Sequence, residues 1–259
     1  MTTLRAGWIL TRRELAHWRR EPWGPIFGLV FSIMLLLVFG FLFGGAITVP
    51  GGGDYIAFLL PGMMALSMMF GVETTATKMA ADAGKGITDR FRSMPIGSAS
   101  PALGRVGADM TNSAAELAVL LVGGLAIGWR IGSNPGSAAL AVLLLLLLRF
   151  SMLWIGIFVG LTFRGGGATA AVQVLVWPIG FLSTAIVSAE TMPAWLGAVA
   201  AWNPLSATAT AARELFGNPT GMTGGVLADH AVWLALGWPL LLAAIFIPLS
   251  ARAYRRLRD

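Results

Sequence analysis

The stretch from Ala138 to Phe163 is 26 residues long, contains the unbroken leucines Leu143 to Leu148 and holds one charge, Arg149. About 20 helical residues cross the roughly 30 Å hydrocarbon core of a bilayer, so a run of this kind folds as a membrane-crossing helix. Five more runs of similar character lie at about Gly24 to Ala46, Tyr55 to Thr77, Asp109 to Trp129, Ala168 to Val187 and Ala231 to Ser250. The composition agrees: 56% of the 259 residues are hydrophobic and 12% are charged, whereas soluble domains carry about 25% charged residues. There is too little polar surface to face water, so the apolar excess faces lipid. The expected fold is an all-α integral membrane protein with six transmembrane helices, forming one membrane domain over residues 1–259.

Basic residues give the direction. With the N-terminus in the cytoplasm, five arginines precede the first run: Arg5, Arg12, Arg13, Arg19 and Arg20. Lys78, Lys85, Arg90, Arg92 and Arg105 fall between the second and third runs, Arg164 after the fourth, and Arg252, Arg255, Arg256 and Arg258 after the last. Only Arg130 and Arg213 fall outside, and Arg149 lies within a run. The positive-inside rule therefore places both termini in the cytoplasm. It also makes nucleic acid a poor partner, because the formal net charge of +6 is spread along one membrane edge.

Three connecting segments carry further expectations. Over residues 1–23, Leu4, Trp8, Leu15 and Trp18 recur at helical spacing among arginines, the pattern of an amphipathic helix lying at the lipid interface. No apolar stretch with a small-residue cleavage site opens the chain as a secretory leader would. The inner segment 78–105 is polar. The outer segment 188–230 is long yet apolar, with Trp195, Trp202, Pro193 and Pro204, and reads as short re-entrant helices whose broken backbone protein must satisfy.

The chemistry of an enzyme is missing. Gly84-Lys85-Gly86 resembles a phosphate loop, but that pattern needs glycine where Met79 stands and serine or threonine where Gly86 stands. There is no cysteine, His17 and His230 are far apart, and no nucleophilic serine elbow or close carboxylate pair lies within a run. No catalytic residue, metal site or cofactor is expected on this chain.

Charges inside a span are functional candidates by default. Arg149 needs a partner, and helix rise puts Glu116 at nearly its depth, with Glu73 shallower. The two form an expected intramembrane pair, which either locks helices together or serves substrate or gating. Gly40 with Gly44, Gly124 with Gly128, and Gly156 with Gly160 have the four-residue spacing that allows close helix contact. Met63, Met64, Met68 and Met69 suit either a core or an adaptable substrate-facing surface; Met64, Met68 and Glu73 are taken as the candidate pathway.

The inner segment Gly84-Lys85-Gly86-Ile87-Thr88-Asp89-Arg90-Phe91-Arg92-Ser93-Met94-Pro95-Ile96 resembles the loop of type-2 ABC exporter permeases, a family that includes daunorubicin-resistance, polysaccharide and lipid exporters. Arg12-Arg13-Glu14-Leu15 and Arg19-Arg20-Glu21-Pro22 look like its N-terminal basic helix, with Glu21 where aspartate is expected. Met192-Pro193-Ala194-Trp195 and Asn203-Pro204-Leu205, followed by Arg213 and Gly217, look like its outer segment.

The resemblance implies a half-permease: a second permease subunit, identical or different, completes the membrane pathway, and separate ABC ATPase subunits bind ATP and Mg on the cytoplasmic side. It implies a coupling helix in the inner loop, in which Asp89, Arg90 and Arg92 face water or the ATPase, Ile87, Phe91 and Met94 form the apolar side, and Pro95 ends the element. The implied substrate is a hydrophobic drug, antibiotic or lipid-like compound, and the implied location is a bacterial plasma membrane. Sixteen arginines against two lysines suit a GC-rich bacterial genome. A proton-coupled secondary transporter would place more titratable groups deep in its spans, and an intramembrane lipid-modifying enzyme lacks its catalytic set.

Overall fold

A computed structural model describes residues 11–12, 23–42, 44, 47–84, 100–163 and 166–256. Eight α-helices and no strands occur among them. Helix α1, Trp23–Leu37, continues as a π-helix over Val38–Leu42; α2 is Tyr55–Gly84, α3 Ser100–Ala126, α4 Pro135–Thr162, α5 Gly166–Phe181, α6 Ala194–Ala201, α7 Pro204–Phe216 and α8 Val226–Arg256. Three helices, α2, α4 and α8, are long and apolar enough to cross a bilayer. Ser32–Leu42 and Val172–Phe181 are shorter apolar stretches, and α3 carries Arg105, Asp109 and Glu116 along its length.

Local chemistry sets the helix ends. An Asn-Pro pair starts both α4 and α7: Asn134 accepts from the Ser137 amide at 2.9 Å and Asn203 from the Leu205 amide at 2.9 Å, with proline at the first helical position in each. Helix α7 stops at Gly217, whose φ of 71° lets its own amide and that of Asn218 turn back onto the last carbonyls. A side chain at Gly217 would also meet the Gly132 backbone at 2.8 Å. That junction joins the α3–α4 turn to α7, and Trp129 reinforces it, packing edge-on against Phe216 and donating its indole N–H to Asn218 at 3.0 Å. Arg130 lies on the turn itself and closes α3 by donating to the carbonyls of Leu125 and Trp129, both at 2.8 Å.

Helix α2 is the centre of the fold. Its apolar window is mostly buried, that of α4 half buried and that of α8 largely exposed. Phe58, Leu59, Leu60, Met63, Met64 and Met68 of α2 fill the main core with Leu145 and Leu148 of α4 and Phe216 of α7. The closest seam is α2 against α4. A Cβ on Gly156 would meet the Val72 carbonyl at 2.7 Å, and one on Gly160 the Ala76 carbonyl at 2.5 Å, so glycine is required for the backbones to approach. The other two glycine pairs do not bring main chain against main chain between helices: Gly124 makes room for the Leu60 side chain of α2, Gly128 ends the α3 turn at a φ of 105° with nothing near it, and Gly40 makes only ordinary contact at 3.8 Å.

The fifth apolar run is the one that departs furthest from a continuous span. Pro178 lies in α5, the helix stops at Phe181, and residues 182–188 are irregular. Conversely α3 starts nine residues before Asp109, which places Arg105 and Asp109 on a helix face rather than in a loop. At the N-terminal end of that helix, the Thr11 hydroxyl donates to the Gly104 carbonyl at 3.1 Å. The coupling residues Ile87, Asp89, Arg90, Phe91, Arg92, Met94 and Pro95 lie outside the described residues, as does most of the segment 1–23.

Candidate functional site

The buried polar groups of the bundle form a ladder on three helices. Arg105, Asp109, Ser113 and Glu116 follow one another on α3 at helical spacing and so share a face. Ser67, Gly71 and Thr75 do the same on α2. Arg149, halfway along α4, lies between them: its Nε donates to Ser113 Oγ at 2.8 Å and its Nη2 to Thr75 Oγ1 at 3.4 Å. Thr75 in turn donates to Asp109 Oδ2 at 3.0 Å, and Arg105 Nε reaches the same oxygen at 3.3 Å. Gly71 makes room for the arginine, since a Cβ there would fall inside the guanidinium group.

The Arg149–Glu116 ion pair expected from depth does not form among the described residues. Glu116 Oε1 instead accepts from Ser67 at 2.5 Å and Ser32 at 3.0 Å, joining α1, α2 and α3. Asp109, through Thr75, is the carboxylate that Arg149 shares. Depth along a helix says nothing about azimuth, and the azimuth of Asp109 was written in the four-residue steps from Arg105 to Ser113. Two cations and two carboxylates make the ladder neutral, which is the condition for keeping charge in an apolar interior. For a double-mutant cycle on unfolding in mixed micelles, the expected coupling is about 1–3 kcal/mol between Arg149→Met and Asp109→Asn. A larger coupling between Arg149→Met and Glu116→Gln would restore the original pair.

A second buried cation, Arg213 of α7, falls among the outer residues by sequence. It is fully buried. Its Nε donates to the Phe58 carbonyl at 2.7 Å, its Nη2 to those of Thr184 and Ala185 at 2.8 Å each, and its guanidinium lies 3.6 Å from the centre of the Phe58 ring. It thus holds the irregular chain after α5 against α2. Asn203 helps, donating to the carbonyls of Ile179 and Leu182, while Ser206 accepts from the Thr184 amide at 2.9 Å and Tyr55 donates to the Ile186 carbonyl at 3.2 Å. The backbone groups freed by the break in α5 therefore find partners on α2 and α7, as a water-poor environment demands.

Of the candidate pathway residues, Met64 and Met68 are fully buried in the core and present no surface to a substrate in this conformation; α2 is packed nearly all round, so their methionines fill space. Glu73 is placed differently. It points away from the ladder toward α5, where Gln173 Nε2 donates to its Oε1 at 2.5 Å. Among the described residues there is no group of three His, Cys, Asp or Glu placed to hold a metal ion.

The ABC-2 type transporter family matches residues 5–216, most of the chain and most of these elements. The chain belongs to that family. This permease is 31% identical over 244 residues to the daunorubicin resistance ABC transporter permease protein DrrB1 of Streptomyces coeruleorubidus, covering 94% of this chain and 83% of the relative. It is 25% identical over 213 residues to the putative transport permease ycf38 of Pyropia yezoensis, covering 80% of this chain and 72% of that one. As a type-2 ABC permease it is a membrane-embedded protein, and its apolar helices are the part that meets lipid.

Proposed function

We propose that this permease is the transmembrane half of an ATP-driven exporter that moves a hydrophobic or amphipathic compound out of the cell. The observation that carries the reading is the similarity to a daunorubicin-resistance permease along 94% of the chain. In this reading six segments cross the plasma membrane with both termini inside, and α6 and α7 lie at its outer side. A second permease subunit completes the pathway. Separate ATPases bind ATP and Mg, and their closure is transmitted through the inner loop, with Asp89, Arg90 and Arg92 toward the ATPase and Ile87, Phe91 and Met94 toward the membrane. The neutral ladder and the Arg213 clamp serve to keep the helices in register while they move.

The absence of cysteine makes the test clean. A Phe91→Cys variant is expected to react with a membrane-impermeant maleimide in inverted vesicles and not in intact cells. Phe91→Ala combined with Arg92→Ala is expected to lower both the ATPase that co-purifies and the export rate by about ten-fold, the loss of roughly 1.4 kcal/mol of docking energy. Labelling from outside the cell, or normal co-purification with full export, would remove the coupling role.

A further inference from the structure

Three buried polar atoms gathered at α7 have no hydrogen-bond partner among the described residues: Arg213 Nη1, Thr210 Oγ1 and Thr184 Oγ1. The chain brings them to one place. Ser206, Thr210 and Arg213 follow one another at steps of four and three residues and so share a helix face. Thr184 lies across that face, because its amide donates to Ser206 Oγ at 2.9 Å and its carbonyl accepts from Arg213 Nη2 at 2.8 Å. Thr210 stands between those two anchors. Helical side chains lean toward the N-terminus, which carries the Arg213 guanidinium back over Thr210. The other two nitrogens of Arg213 are already occupied by the carbonyls of Phe58, Thr184 and Ala185.

The charge at this place is unbalanced as well. In the Arg149 ladder two cations meet two carboxylates, whereas no carboxylate pairs with Arg213 among the described residues. Three carbonyls and the Phe58 ring stabilise the guanidinium through dipoles and a quadrupole, and none of them carries a net charge. A buried cation without a counter-charge, with one N–H group unfilled, is costly. A guanidinium nitrogen and two hydroxyls can all donate to a single acceptor, and an anion needs donors alone. A water molecule would satisfy the same three groups but would leave the positive charge as it is. The niche is also closed: Thr184, Thr210 and Arg213 are at most 1% exposed, and their chain neighbours Ser183, Ala185, Ala209, Ala211 and Ala212 are buried too. An occupant must therefore be small enough to be enclosed.

We infer that Arg213 Nη1 and the hydroxyls of Thr184 and Thr210 bind a monatomic anion, chloride in a cell, between α7 and the irregular chain after α5. The anion completes the clamp: it neutralises the arginine and adds two more ties between residues 182–188 and α7. It enters and leaves when that irregular segment opens. The site is independent of export and of what is exported.

The test uses the full chain in phosphatidylcholine nanodiscs with gluconate as the mobile anion, then replaces gluconate by chloride or bromide at constant ionic strength. Hydrogen exchange over residues 182–188 is expected to slow saturably, by about ten-fold at ten times the dissociation constant, while exchange within α4 stays the same. Thr184→Val and Thr210→Val each remove one hydroxyl and leave the bonds of Arg213 to main chain in place. Each should raise the chloride concentration for half protection by at least about ten-fold. Thr208→Val, which loses a hydroxyl bonded to the Pro204 carbonyl at 3.1 Å on the same helix, should stay within about three-fold of wild type. Crystals of the wild type soaked in bromide should show an anomalous peak within hydrogen-bond reach of Arg213 Nη1 and both hydroxyls, a result that holds even where a valine variant fails to fold. Protection equal in gluconate and chloride, unchanged half-protection in both valine variants, or a water with no anomalous signal at that position would overturn the assignment.

Discussion

Gly71→Ala is expected to destabilise the permease by about 3–5 kcal/mol, the range for breaking a buried charged network. One methyl group does this because the Arg149 guanidinium already occupies the space where the Cβ would project. The arginine cannot retreat within α4 without leaving Ser113, Thr75 and, through Thr75, Asp109. Expelling it would strand a carboxylate in the interior, where it has Arg105 alone as a described counter-charge. Denaturation by a rising detergent fraction in mixed micelles would measure the loss. A change under about 1 kcal/mol would show that the guanidinium has another low-energy position. Combining Gly71→Ala with Arg149→Met should cost less than the two single losses added together, because the methyl and the guanidinium no longer compete for one volume.

Arg213→Ala is expected to cost about 3–6 kcal/mol, since three buried carbonyls lose their donors at about 1–3 kcal/mol each with some local relaxation. Those carbonyls belong to Phe58, Thr184 and Ala185, so the damage should localise: the chain after α5 loses its attachment to α2 while α4 and α8 stay packed. Hydrogen exchange over residues 182–188 should rise by at least about ten-fold, equivalent to about 1.4 kcal/mol, and exchange within α4 should not. Arg213→Lys should recover less than half the stability, because a single ammonium cannot match the planar fork that serves acceptors on two segments. Full recovery by lysine would mean that charge, not geometry, holds the segment.

The sequence carried the long apolar helices well, because a run such as Leu143 to Leu148 has one low-energy solution in lipid. It also carried the glycine pair Gly156 and Gly160 and the importance of Arg149. What it did not carry was rotation about each helix axis. Glu116 matches Arg149 in depth but faces Ser32 and Ser67, while a charge at Asp109 reads from hydropathy as the edge of a span. The polar steps Arg105, Asp109 and Ser113 were the available signal, and they gain meaning only once α3 is known to begin at Ser100. The break after Phe181 was hidden for another reason. Its backbone partners, Tyr55, Asn203, Ser206 and Arg213, are distant in the chain, and hydropathy counts residues one at a time.

The glycine seam between α2 and α4 has a mechanical consequence. Where Gly156 and Gly160 bring main chain against main chain, there are no rotamers to yield, so a push on one helix is delivered to the other undiminished. The pair behaves as a single stiff beam carrying the Arg149 ladder along its length. Helix α5 bears on the α2 side of that beam, and the chain that follows it is tied to the same beam by Arg213 of α7, so a shift of α2 carries the end of α5 with it.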